Sequence, residues 1–136
     1  MLAIVDTGPI LSAADPADAD HELAVSTLRR PGLGLVFPQM VVFEAAYLIG
    51  ARLGAMAESR VLSGLGSLEM ESPHPDDWTR IAEIVAQYRD FPIGATDASI
   101  VALAERLDTD LVVTFDHRHF RAIRPRHVEA FRLLPE

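Results

Sequence analysis

The sequence predicts an α/β domain of three layers, with helices covering both faces of a central parallel sheet. Two apolar, β-branched runs of strand length, Leu2-Ala3-Ile4-Val5 and Leu111-Val112-Val113-Thr114-Phe115, carry no alternation and so suit strands buried on both faces. Helical patterns separate the strand-like runs along the chain. Each of the two runs also ends in an acid, Asp6 and Asp116, at what would be the carboxyl edge of the sheet. With 136 residues, 49% of them hydrophobic, and no linker-like stretch, residues 1–136 are expected to form a single domain with its own core.

Taken in order, Leu2 to Val5 is the first strand, and Asp6-Thr7-Gly8-Pro9 leads through a turn into a helix over Ile10 to Ala14 that Asp15-Pro16 interrupts. Asp20 to Arg30 reads as a second helix with Leu23, Ala24, Thr27 and Leu28 on one face, ended by Pro31-Gly32. His21 within it is a surface or packing residue. A short strand at Leu35 to Phe37 precedes Pro38 and the run Val41 to Ile49, which is so apolar that it reads as a largely buried helix. Met56, Val61, Leu62 and Leu65 supply the apolar face of the next helix, and Gly64 and Gly66 mark its end. Leu68 and Met70 alternate with Glu69 and Glu71, as in a half-exposed strand near a sheet edge. After the turn Ser72-Pro73-His74-Pro75, Trp78, Ile81, Val85 and Tyr88 recur at helical spacing and form a core stripe. Phe91-Pro92 breaks that helix, and Gly94-Ala95-Thr96-Asp97 opens another, continuing through the apolar residues 98 to 104. Val128 to Leu134 adds an edge strand.

Four acids stand out by position. Asp6 and Asp116 close strands, Asp97 sits in the cap or first turn of its helix, and Glu44 interrupts an otherwise apolar helix, where an ionised carboxylate needs a partner. In an open parallel sheet, ligands bind beyond the carboxyl ends of the strands, where the following helices begin, so all four are expected to meet there. Two carboxylates ~4 Å apart repel by roughly 4 kcal/mol at an effective dielectric of about 20, so a shared pocket calls for a cation. Oxygen donors in a chain with no cysteine favour Mg²⁺ or Mn²⁺ over zinc or copper.

Composition bounds the alternatives. No apolar run approaches a membrane span, the amino terminus lacks the features of a signal peptide, and zero cysteines exclude disulfides and thiolate chemistry, so a cytoplasmic protein is expected. The net charge of −8 is unevenly spread: residues 117 to 136 hold five arginines against two acids, and the first 116 residues hold seven against eighteen. An arginine rim beside an acidic pocket, with Arg118 and Arg121 as phosphate contacts, is one reading of the basic tail; an ordinary solvated surface is the other. No glycine-rich phosphate loop is present.

The ordered set Asp6-Thr7-Gly8-Pro9-Ile10, Glu44, Gly94-Ala95-Thr96-Asp97-Ala98-Ser99-Ile100 and Thr114-Phe115-Asp116-His117-Arg118-His119-Phe120 resembles the PIN-domain nucleases, and among them the VapC-type toxins of bacterial toxin–antitoxin pairs. The resemblance spans nearly the whole chain. It implies Mg²⁺-dependent (or Mn²⁺-dependent) endonucleolytic cleavage of RNA, a homodimer, and inhibition by a cognate antitoxin. Asp6, Glu44, Asp97 and Asp116 match the family's acidic quartet, with Asp6 and Asp97 as direct ligands, Glu44 binding metal or positioning water, and Asp116 serving a second ion or acting through water. Thr114 matches a supporting hydroxyl two places before the last acid. Gly8 stands where relatives often carry Ser, a departure attributed to the backbone of the turn. His117 and His119 are read as parts of a turn whose Phe120 packs inward. For dimerisation, Met40, Val41, Leu48 and Leu53 are candidates, with core packing as the other reading. Two rivals stay open: an aspartyl-phosphate phosphatase using Asp6 as nucleophile, for which Gly8 and the absence of lysine are unhelpful, and a catalytically silent binding module.

Overall fold

The structure is a computed structural model describing residues 1–136. Strand β1 (Leu2–Val5) lies at the centre of a five-stranded sheet, with β2 (Gly34–Pro38) and the two-residue β3 (Met70–Glu71) on one side and β4 (Leu111–Val113) and β5 (Arg132–Leu134) on the other. Every pairing is parallel. Seven helices follow the strands: α1 (Thr7–Ala14), α2 (His21–Leu28), α3 (Gln39–Leu53), α4 (Ala55–Gly64), α5 (Pro75–Gln87), α6 (Ala95–Leu107) and α7 (His117–Ala122). The predicted parallel α/β architecture is thus borne out, with both short edge strands where the alternating and terminal segments placed them.

Strand pleating divides the core between the two faces of the sheet. Ile4, Val36 and Val112 point into one cluster with Ile81 and Ile84 of α5, residues 98 to 104 of α6, and Phe120 and Ile123. Ala3, Val5, Leu111 and Val113 point the other way, towards Ile10 of α1, Leu28 of α2 and Val42 of α3. Helix α3 serves both sides, since Val41 belongs to the first cluster and Val42 to the second. Helix α6 is the most enclosed, every residue from Ala98 to Ala104 being buried. Two ion pairs lock α5 to it: Arg80 grips Glu105 through two hydrogen bonds of 2.8 and 2.9 Å, and Arg106 donates to Asp77 at 2.9 Å. His21 accepts the packing role, its Nδ1 lying 2.8 Å from the Ser12 carbonyl and tying α2 to α1.

Several expectations need correction. Helix α3 is not largely buried: Phe43 and Tyr47 are 78% and 71% exposed, and Glu44 lies on the same open side. The stripe on α5 is only partly as predicted: Ile81 is core and Tyr88 packs against it, whereas Trp78 and Val85 face outward and the fully buried position is Ile84, because helical spacing is met by two overlapping rows. Helix α4 has no buried residue, its Met56 and Leu62 being exposed and Val61 half-buried, while Leu65 just past its end packs against the second core cluster. Val41 is core, Met40 and Leu48 are half-buried, and Leu53 is the exposed one of that group.

Candidate active site

The carboxyl ends of β1 and β4 lie side by side, in register from Val5 opposite Val113. From β1 the chain steps to β2 on one side, while β4 lies on the other, so this is the crevice where the strand order reverses. Asp6 and Thr114 are the next residues along each strand. The Asp6 N–H donates to the Val113 carbonyl at 2.9 Å, extending the pairing by one step, and the Thr114 hydroxyl donates to Asp6 Oδ2 at 2.7 Å. Asp6 Oδ1 accepts the Thr7 N–H at 2.7 Å and so caps α1. Both residues are buried, Thr114 completely.

Asp116 caps α7 in the same manner, its Oδ1 accepting the His119 N–H at 3.2 Å, while its own N–H donates to Thr114 Oγ1 at 2.9 Å. One buried hydroxyl thereby supports two acids. Asp97 lies in the first turn of α6, after Gly94, where the helix dipole favours a negative charge. Glu44 reaches in from α3 and accepts a 3.2 Å hydrogen bond from the Thr7 hydroxyl. Together Asp6, Thr7, Gly8, Glu44, Asp97, Phe115, Asp116 and His119 line a cleft of about 330 Å³. All four acids singled out by sequence line this cleft, and no arginine does. The tightest group within it is Asp97, Asp116 and His119, which offer ligand atoms all within 4.8 Å of one another.

The electrostatics reflect this crowding. Burial, with the Asp6 carboxylate next, pushes the Asp97 carboxyl up to about 6, against the opposing pull of His119. Asp6 is raised as well, by burial first; the hydrogen bonds from Thr114 and Thr7 pull it back, and Asp116 and Glu44 add to the rise. Carboxylates held above their ordinary range, with oxygen donors free to bind and no arginine to neutralise them, fit a hard divalent ion.

Among the cleft residues not identified as site residues from sequence, Thr7 and His119 are the two with polar side chains. Thr7 tethers Glu44 across 37 positions of chain, which no local pattern reports. His119 was read as part of a turn; its three-residue spacing from the capping Asp116 is the signal that places both side chains on one side of the first turn of α7. The neighbouring His117 does not line the cleft. Of the basic tail, Arg118 and Arg121 are exposed on α7, the helix that Asp116 caps, and Arg118 rests 5.2 Å from the centre of the Phe91 ring. Arg126 and Arg132 are engaged elsewhere, with Glu83 at 2.8 Å and with both oxygens of Asp110 at 2.8 Å. Gly8 has no left-handed φ, and a Cβ there would meet Phe115 at 3.6 Å, an ordinary contact; the turn does not demand glycine, contrary to the reason given for it above.

A five-stranded parallel sheet with acids from separate elements gathered at its carboxyl edge is the arrangement of the PIN domain, and the PIN domain family model matches residues 3–124. The chain is 36% identical over 134 residues to ribonuclease VapC26 of Mycobacterium tuberculosis, covering 97% of this chain and 99% of that protein, and it belongs to the VapC group of the PIN-domain family. Among solved structures, the fold is similar to VapC20 of M. tuberculosis, described as a Sarcin-Ricin loop cleaving toxin, with a TM-score of 0.79 at 18% identity over 86% of this chain and 91% of that one. A toxin-antitoxin complex from Klebsiella pneumoniae contains a chain that superposes with a TM-score of 0.68, 18% identical, covering 89% of this chain and 92% of its own. At that identity the two structures establish the fold.

Proposed function

We propose that this chain is a divalent-metal-dependent endoribonuclease, the toxin of a toxin–antitoxin pair, acting in the cytoplasm as a single domain over residues 1–136. The observation that carries the reading is the cleft itself: four acids from four separate elements meet with no arginine or lysine among them. Mg²⁺ or Mn²⁺ bound there supplies Lewis acidity to water and to the phosphodiester. The chain's own residues do the rest. Asp97, which feels the charges of both Asp6 and Asp116, is one direct ligand. Asp6 is the second, each of its oxygens retaining a lone pair beyond the hydrogen bond it accepts. Glu44, steadied by Thr7, orients the attacking water, and Asp116 serves a second ion or acts through water. Thr114 fixes the carboxylate of Asp6. Arg118 and Arg121, exposed on α7, contact flanking phosphates.

The partners are an RNA substrate, a cognate antitoxin and a second copy of the chain. The exposed aromatic pair Phe43 and Tyr47 on α3 supports the homodimer, since two large apolar residues on one helix face are seldom left in water without purpose. No helix is long and apolar enough to cross a membrane, in keeping with the cytoplasmic reading.

The test is cleavage of total cellular RNA by purified protein, with Mg²⁺, with Mn²⁺ and in EDTA, read by sequencing the new 5′ ends and compared with Asp6→Asn. Discrete ends that need the metal and vanish in the variant are expected. Cleavage that persists in EDTA, or is untouched by Asp6→Asn, overturns the mechanism.

A further inference from the structure

Asp116 Oδ1 is committed to capping α7, which leaves Oδ2 turned toward the imidazole three residues on. His119 Nδ1 touches that oxygen and lies 3.7 Å from Asp97 Oδ2. It is sealed from solvent, and the polar atoms in its reach are these two carboxylate oxygens. The ring is held in this pose by an edge-on contact with Phe91, centroids 5.0 Å apart and planes at 90°, and Phe91 is in turn covered by the Arg118 guanidinium. Two carboxylate oxygens and one imidazole nitrogen, from Asp97, Asp116 and His119, therefore converge closely enough to serve together as metal ligands.

We propose that His119 is a nitrogen ligand to a divalent ion shared with Asp97 and Asp116, and that it tilts this part of the cleft from Mg²⁺ toward Mn²⁺ and other borderline ions. The proposal rests on the metal-dependent reading above. Mg²⁺ strongly prefers oxygen and sheds water reluctantly, whereas imidazole is a good ligand for first-row transition ions. An all-carboxylate cleft treats Mg²⁺ and Mn²⁺ more alike than one that presents a preoriented imidazole. His119 then completes a mixed nitrogen and oxygen set on the Asp97–Asp116 side, while Asp6 and Glu44 keep an all-oxygen side.

The test uses the full, tag-free chain loaded with Mn²⁺ and read by pulsed electron paramagnetic resonance, which detects nitrogen bound to the ion, together with calorimetric affinities for Mn²⁺ and Mg²⁺. A directly coupled nitrogen is expected in the unaltered protein and in His117→Asn, and is expected to be lost in His119→Asn. That last variant is also expected to weaken Mn²⁺ binding by roughly tenfold while moving Mg²⁺ far less. Mn²⁺ bound without nitrogen coupling, coupling that survives His119→Asn, or equal losses for both ions would overturn the role of His119 and leave the carboxylate site standing. Failure of either ion to bind, with Asp97→Asn indistinguishable from the unaltered protein, removes the metal reading and this proposal together.

Discussion

Thr114 and Asp6, 108 positions apart in sequence, are joined by a 2.7 Å hydrogen bond across the carboxyl ends of β4 and β1. The same hydroxyl oxygen accepts the Asp116 N–H, so one side chain sets the position of two acids. Thr114→Val keeps the shape and removes both bonds. It should cost about 1–3 kcal/mol in denaturant unfolding, the penalty of leaving buried polar groups unpaired, and lower RNA cleavage by roughly 10–100-fold. Because the lost bond is one that holds the Asp6 pKa down, the rising limb of the pH–rate profile should move to higher pH.

Asp97 provides a pH signature in the metal-free protein. Its folded-state value of about 6 lies above the ~3.9 of an unfolded aspartate, so its contribution to stability is fully present below the unfolded value and is lost as pH rises through the folded one. In EDTA, Asp97→Asn should therefore be more stable than the unaltered protein by roughly 1–2 kcal/mol near pH 7.5, and the two should converge near pH 4, as read from urea unfolding across that range. A constant difference at all pH values would show that folding does not raise the Asp97 carboxyl.

The arginines of the basic tail should separate into two functional groups. Arg118→Gln and Arg121→Gln should weaken binding of a non-cleaved RNA and each reduce the salt dependence of log K by about 0.7, the single-strand value for one phosphate contact. Arg132→Gln, which loses only its pairing with Asp110, should leave that slope unchanged. Fluorescence anisotropy over a salt series decides between them.

Phe43 is 78% exposed and lies away from both core clusters. Phe43→Ser should leave the unfolding free energy of the isolated chain within about 0.5 kcal/mol, as surface changes do, while shifting sedimentation from dimer toward monomer. A dimer that survives the substitution would move the association surface elsewhere, with the exposed Trp78 and Val85 of α5 as the next face to test.

The strands and the placement of their terminal acids were legible because both signals are local: a continuous apolar run and the residue that ends it. Asp6, Asp97 and Asp116 needed only the rule that parallel strands end at one edge. Glu44 was identified for a partly mistaken reason, since its helix is half open and the glutamate is steadied by Thr7 rather than enclosed by apolar side chains. Periodicity states that a helix has an apolar face without saying whether this chain covers it, which is why Trp78 and Val85 on α5 and Met56 and Leu62 of α4 were misjudged. Arg126 and Arg132 were drawn away from the predicted rim by Glu83 and Asp110, pairings that only the folded chain discloses.

The central position of β1 carries a consequence for synthesis on the ribosome. The first strand made is flanked by one that appears only at Leu111, and the hydroxyl that fixes its aspartate comes three residues later. A nascent chain that has already exposed Asp6, Glu44 and Asp97 still lacks the neighbour that would close the cleft. The four-acid cleft therefore cannot be completed until residues 114 to 116 have been made, long after the chain has supplied Asp6, Glu44 and Asp97.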